Sequence, residues 1–366
     1  THEFSFTQDS IRHIAIDTVT VYGVSVIRRN STYRYTPLES RYLVSVVGES
    51  DVLRYIATLP GVSSGMEGAL GYFVRGGNSG NNRIELDGVP IYGSTHLFGL
   101  FSIFHPQIVE EVEFKNGGFS ASNGNFLASI TRINSISPNS NQYNGSIEMS
   151  PFLLGGSING PLASNVKFVG AARVSLLRHE YKLLKNVMNL EDDFVPWVAD
   201  VYLKMELPII EGHQISLSGY YSNDYFKFVG EDVLEMNWGN RFVSMEWKWE
   251  LSPSANFLTR LYRSHYFSGQ RQQSFFDNKK TGELRLLSQL DDISFSTKFM
   301  QRLKQFTLSG GVEWLNQSLN PRSEKLMASR DGFYESNENF KTDLFSGFGE
   351  LRYDTGILSA AVGIRG

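Results

Sequence analysis

The sequence predicts a membrane β-barrel of antiparallel strands, preceded by a small α+β domain. Three observations point there. From about Gln142 onward, apolar and polar residues alternate in segments of about ten residues separated by turns. Aromatic residues are abundant, at 13%, against only 20% charged residues, and they fall near strand ends, where interfacial girdles form. Ahead of Gln142 the texture is mixed, with short apolar runs and Gly-rich turns. Alternation alone also describes a water-soluble sandwich or propeller. Long strands with Trp, Met and Leu on the oily face favour the barrel.

Composition removes other classes. With 34 Lys+Arg against 38 Asp+Glu, the net charge of −4 gives no basic surface for nucleic acid. The chain has no cysteine, so disulfides, Cys-metal sites and a thiol nucleophile are excluded. The 7 histidines show no H-x-H or H-x-x-x-H spacing, and there is no phosphate loop or dinucleotide fingerprint, so no metal or cofactor is expected. Gly61-Val62-Ser63-Ser64-Gly65 matches G-x-S-x-G, but a nucleophile elbow follows a buried strand, whereas this run follows an expected helix. No enzyme is expected.

The elements follow in order. Residues 1–16 read as the end of a preceding domain or a linker, and 17–36 as an extended segment and linker. Within 37–135, Ser50 is placed to cap a helix carrying Val52, Leu53, Ile56 and Leu59 on one face, ended by Pro60-Gly61. Pro106, followed by Ile108, Val109 and Val112, signals a second short helix. Short strands are expected in 72–77, 83–92 and 110–118. From 141 to 366 only strands are expected. In 197–207, Trp197, Ala199, Val201, Leu203, Met205 and Leu207 alternate with Asp200, Tyr202, Lys204 and Glu206. The split recurs in 243–251, 213–222 and 166–176, and more weakly in 293–299 and 348–354.

The run from Gly48 to Gly118 resembles the plug domain of TonB-dependent outer-membrane receptors, in the form common among Bacteroidetes. The motifs that carry the resemblance are Leu59-Pro60-Gly61-Val62, Arg75-Gly76-Gly77, Leu86-Asp87-Gly88-Val89-Pro90, His96-Leu97-Phe98-Gly99 and Lys115-Asn116-Gly117-Gly118. In that order they are highly specific, although each alone is weak. Segments 167–178, 198–207, 215–224 and 345–366 look like barrel strands of the same family, so the resemblance reaches from about Asp17 to the last residue. One stretch departs from the pattern. Where the family continues after the double glycine with an Arg-Tyr-Gly-Gly-like run, residues 119–127 read FSASNGNFL, without that arginine.

The resemblance implies an outer-membrane receptor that imports a large or scarce solute through a plugged barrel, in the bacterial outer membrane and driven by TonB. It implies contact with outer-membrane lipids and, in many Bacteroidetes members, with a surface lipoprotein. The solute itself is not legible. A transport-inactive scaffold in an outer-membrane assembly or secretion complex is the alternative. The class has 22 strands around a filled lumen. About 225 residues follow the plug, enough for about nine to eleven strands, so the N-terminal part of such a barrel is expected here, with the remaining strands from outside this sequence.

Residue roles follow from the same likeness. Asp17, Thr18, Val19, Thr20 and Val21 resemble the TonB box, and their β-branched run suits an extended segment captured by strand addition. Arg75, Gly76, Gly77, Asp87, Gly88, Gly117 and Gly118 read as plug architecture: the glycines allow tight turns, Asp87-Gly88 is a hairpin signal, and Arg75 is expected to meet a wall carboxylate among Glu206, Glu246, Glu313 and Glu350. Tyr92, Ser94, His96 and Phe98 combine rings, a hydroxyl and an imidazole in one loop, a mixture suited to solute contact. Tyr92 and Ser94 are the favoured contacts, with His96 and Phe98 shaping the loop.

Overall fold

The computed structural model describes residues 27–29, 32–36, 51–64, 71–124, 126–139, 141–163, 165–189, 193–277, 279–327, 332–356 and 358–366. The TonB-box-like segment Asp17 to Val21 and the stretch 1–16 lie outside them. Ten short strands build the N-terminal domain: β1 (Ile27–Arg29), β2 (Thr32–Tyr35), β3 (Val62–Ser64), β4 (Tyr72–Val74), β5 (Asn82–Leu86), β6 (Val89–Pro90), β7 (Thr95–His96), β8 (Phe101–Ser102), β9 (Val109–Lys115) and β10 (Ser129–Ser135). Six form one sheet in the order β1-β2-β9-β10-β5-β6, while β3-β4 and β7-β8 are separate hairpins. Its core forms where Leu86, Val112, Phe114 and Ile133 meet Val52, Ile56 and Phe104, all at most 2% exposed.

Three expectations for this domain need correcting. The plug sheet begins with β1 and β2, which pair with each other and, through β2, with β9, so it takes in residues assigned to the linker. The apolar set around Ser50 does not build an α-helix: residues 52–55 form turns and Ile56–Thr58 a single 3₁₀ turn that seats Ile56 in the core. Pro106–Ile108 is likewise one 3₁₀ turn leading straight into β9.

The wall is a twelve-stranded sheet: β11 (Asn144–Met149), β12 (Leu153–Ala163), β13 (Val166–Ser175), β14 (Asp193–Ile210), β15 (His213–Val229), β16 (Val233–Ser252), β17 (Ala255–Phe276), β18 (Lys279–Leu303), β19 (Phe306–Met327), β20 (Gly332–Asn337), β21 (Phe340–Asp354) and β22 (Ser359–Arg365). Neighbours pair antiparallel in chain order, with β20 attached to the upper end of β19 and β21 continuing beside β19. Twelve strands slightly exceed the expected nine to eleven. Among the described residues, β11 and β22 do not pair with each other, so the wall is open. One helix was not anticipated: α1 (Leu177–Met188) joins β13 to β14 and ends at Asn189, which adopts a left-handed φ of 51°.

The alternation resolves into two faces. On β14 to β17 the odd positions face outward, as Val201, Leu203, Leu217, Val243, Met245 and Leu261, all at least 40% exposed. The even positions, Asp200, Tyr202, Tyr220, Ser222, Asp224, Phe242 and Tyr262, are buried against the N-terminal domain. At the short-turn end of the wall, an outward aromatic belt forms. His213 stacks on Trp247 and Trp249, Trp249 on Phe257, and Phe257 lies against Phe299. Such a belt marks a membrane boundary.

Candidate functional site

The loop between β6 and β8 carries the four solute-contact candidates, and the wall engages each differently. His96 ends β7 and is fully buried. Its Nδ1 lies 2.5 Å from Asp224 Oδ1 on β15, and its Nε2 lies 3.2 Å from Asp200 Oδ2 on β14. Asp224 also accepts the Leu97 amide at 3.0 Å. Arg173 on β13 donates to Asp200 Oδ2 at 2.9 Å and to the Ser102 carbonyl at 3.0 Å. Behind it, Asp51 accepts the Leu53 amide at 2.7 Å and the Ser102 amide. Two buried carboxylates thus face one guanidinium and one imidazole, and both ring nitrogens of His96 face oxygen acceptors, which suits the imidazolium. Burial opposes that charge, but Asp224 and Asp200 outweigh it and hold the His96 pKa above its ordinary value. His105, buried nearby, goes the other way: burial and then Arg173 lower its pKa to about 4.

Tyr92 is also taken up by the wall. Its hydroxyl donates to Asp292 Oδ2 at 2.7 Å, and its amide donates to Asn240 Oδ1 at 3.0 Å. Gln317 donates to Asp292 Oδ1 at 2.9 Å, and Asn240 donates to the Gly93 carbonyl at 3.2 Å. Ser94 is half-buried, and its carbonyl accepts the Ile103 amide at 3.1 Å. Phe98 is the open one, 59% exposed. It sits in a left-handed stretch with Leu97 (φ 51°) and Phe98 (φ 57°), its ring 4.8 Å from Phe226 and 5.1 Å from Trp238. Two consecutive non-glycine residues at positive φ cost energy, and here that backbone turns an aromatic ring toward the lumen.

Below this loop, Arg83, Glu85, Arg132, Glu113 and Arg34 form a continuous charge ladder across the plug sheet. Burial would raise the Glu85 pKa, but Arg83 and Arg132 hold it below the usual carboxylate value. Between this ladder and the wall lies a cavity of about 310 Å³, reached by Arg260, Lys298 and Arg365. Tyr202 bonds Asp87 and Ser135, tying the β5-β6 turn to β14. In that turn Asp87 (φ 48°) and Gly88 (φ 75°) are both left-handed, and the Arg260 guanidinium occupies the space a Gly88 side chain would need.

Arg75 departs from expectation. It is exposed and lies against Gly117, where an added Cβ would come 2.6 Å from Nη1. The four glutamates proposed for it pair instead with Lys204, Arg260, Arg365 and Arg352. Gly76 (φ 77°) and Gly118 (φ 58°) are left-handed. Gly77 is not: its backbone packs against Ala128, 2.9 Å from an added Cβ. The start of the unusual stretch 119–127 still docks, since Ser120 Oγ and the Ala121 amide donate to Glu350 Oε2 at 2.6 and 2.8 Å.

Above the His96 and Tyr92 contacts the inward face changes character. The rungs Asn240–Tyr266–Leu290–Leu319, Trp238–Ser268–Ser288–Pro321 and Met236–Gln270–Leu286–Ser323 continue the plug-facing parity without a charged residue. On the outward face at this height the side chains are charged and paired. Lys227 meets Glu235 at 3.1 Å, and Arg271 and Arg285 both meet Glu283, at 2.7 and 2.6 Å. Water therefore bathes the outside here, while these three inward rungs on β16 to β19 are uncharged and partly apolar, with Lys325 on the rung above them.

A small domain bonded inside a wall with an oily outer face is the arrangement of a plugged membrane β-barrel. Residues 40–129 match the TonB-dependent Receptor Plug Domain family, and the chain has the fold of TonB-dependent receptors. No curated protein matches it. Among solved structures, the outer membrane transporter YddB from Escherichia coli is similar at 10% identity and a TM-score of 0.65, covering 94% of this chain and 57% of that one. The copper transporter OprC gives 14%, 0.64, 94% and 55% in the same order, and the ferric yersiniabactin uptake receptor FyuA from Yersinia pestis 11%, 0.61, 93% and 64%. The chain thus spans roughly 55–64% of their length.

Proposed function

We propose that this chain forms the plug and part of the barrel wall of a TonB-dependent receptor that imports a solute across the outer membrane. The supporting observation is the plug held in the wall by discrete ionic and polar contacts at His96 and Tyr92. Such contacts can be exchanged for water when the plug is pulled, while the apolar contacts of the plug core with Val169, Ala171 and Phe242 of the wall hold it at rest. The uncharged rungs just above Phe98 and Trp238 support a solute whose surface near the plug is uncharged and partly apolar. Asp17 to Val21 would be the segment that TonB grips. Solute capture then begins at Phe98 rather than at Tyr92, whose hydroxyl and amide the wall already engages. Uptake of the solute that co-purifies with the receptor, compared in strains with and without TonB, tests this reading. Undiminished function without TonB would favour the scaffold alternative.

A further inference from the structure

The outward face of β16 and β17 holds two arginines in an unusual place. Going up β16 from the lower aromatic belt, the outward residues are Trp249, Trp247, Met245 and Val243, and the next is Arg241. On β17 the series is Phe257, Thr259, Leu261 and then Arg263. Eight residues separate Trp249 from Arg241. At about 3.3 Å per residue and a tilt near 40°, they span about 20 Å of height, close to the roughly 25 Å apolar band of such barrels. The arginines therefore stand at the upper edge of the band, where lipid headgroups begin.

Both are exposed, and among the described residues neither has a carboxylate partner. Higher on the same face the cations Lys227, Arg271, Arg285 and Arg322 are all paired. The register sets Tyr221, Arg241, His265 and Asp291 on one rung, with Arg263 opposite Val243 on the rung below. Asp291 accepts from His265 at 2.9 Å, so the carboxylate on this rung is already engaged. The two arginines border a recess of about 380 Å³ that also takes in Val243, His265 and Asp291. Two unneutralised guanidiniums above an oily surface match a phosphate on an acyl chain: the forked N–H groups suit phosphate oxygens, and the chain would lie on Val243, Leu261 and Ile293.

We propose that Arg241 and Arg263 form a binding site for the phosphorylated headgroup of an outer-leaflet lipid, anchoring the barrel at a fixed height. The test uses the full-length receptor in amphipol and native mass spectrometry with three probes: phosphorylated lipid A, the same lipid after enzymatic removal of its phosphates, and inorganic pyrophosphate. Wild-type protein should retain phosphorylated lipid A. The Arg241→Gln/Arg263→Gln pair should lower occupancy at least tenfold, whereas Arg271→Gln should leave it unchanged. Dephosphorylated lipid should bind wild type no better than the phosphorylated lipid binds the double variant. Equal occupancy of the two lipids on wild-type protein overturns the proposal even if the double variant fails to insert. Wild-type protein that retains pyrophosphate but not phosphorylated lipid A would also overturn it, showing a site for a soluble anion.

Discussion

At His96 the charges can be followed one by one. Asp200 and Asp224 are buried on the wall, and Arg173 and His96 neutralise them. Replacing His96 by leucine keeps the volume roughly constant but leaves a buried carboxylate unpaired, a change that costs about 3–5 kcal/mol. Hydrogen exchange of the β7-β8 amides should then accelerate while the barrel stays folded; unchanged protection would mean that the contact is ornamental. The pH dependence has two limbs. The His96 pKa is raised, so its contribution is complete below the ordinary histidine value and is lost as pH rises through the shifted one. The His105 pKa is lowered to about 4, so its neutral burial favours docking above the ordinary value, and that contribution is lost as pH falls from about 6.5 toward 4. Protection of the hairpin should therefore peak near neutral pH and decline on both sides. A flat profile would contradict the assignment of both groups. None of this pairing is visible in local sequence, since His96 meets partners 104 and 128 residues away. Parity gave a partial signal: Asp200 sits on the wet face of its strand, but that face carried other polar residues and nothing chose among them.

Among the elements, the wall strands were the most legible part of the chain because each must keep one face in lipid over its crossing. Met245 and Ser268 make the contrast testable. Met245→Arg puts a charge on the lipid face, at a cost of about 2–4 kcal/mol near the midplane, and should reduce heat-modifiable, correctly folded receptor in the membrane. Ser268→Arg lies on an inward rung, so it should assemble normally and weaken capture of an uncharged solute. Equal assembly of both variants would refute the facing assigned to β16. The helix α1 escaped notice for a physical reason. Its stripe of Leu177, Tyr181, Leu184 and Met188 recurs at helical spacing, and Tyr181 meets Phe194 on β14, but none of its residues is fully buried and the run follows directly on the alternation of β13, with which its first residues were read. The reverse error around Ile56 arose because apolar residues three apart fill a core equally well from consecutive turns.

For the whole molecule, the edges at β11 and β22, unpaired with each other among the described residues, leave backbone groups that hydrocarbon does not tolerate unless they are paired. On the proposed reading, energy reaches the plug from below. If Asp17 to Val21 is gripped by strand addition, Val19→Pro removes a donor from that ladder. It should abolish uptake while leaving the quantity of folded receptor unchanged. Normal uptake by that variant would reduce the segment to a connector. The most direct measurement of the central reading is uptake of the co-purified solute in four strains: wild type and Val19→Pro, each with and without TonB. A TonB-energised receptor gives uptake only in the wild-type receptor with TonB present, and equal activity in the strain lacking TonB would contradict it.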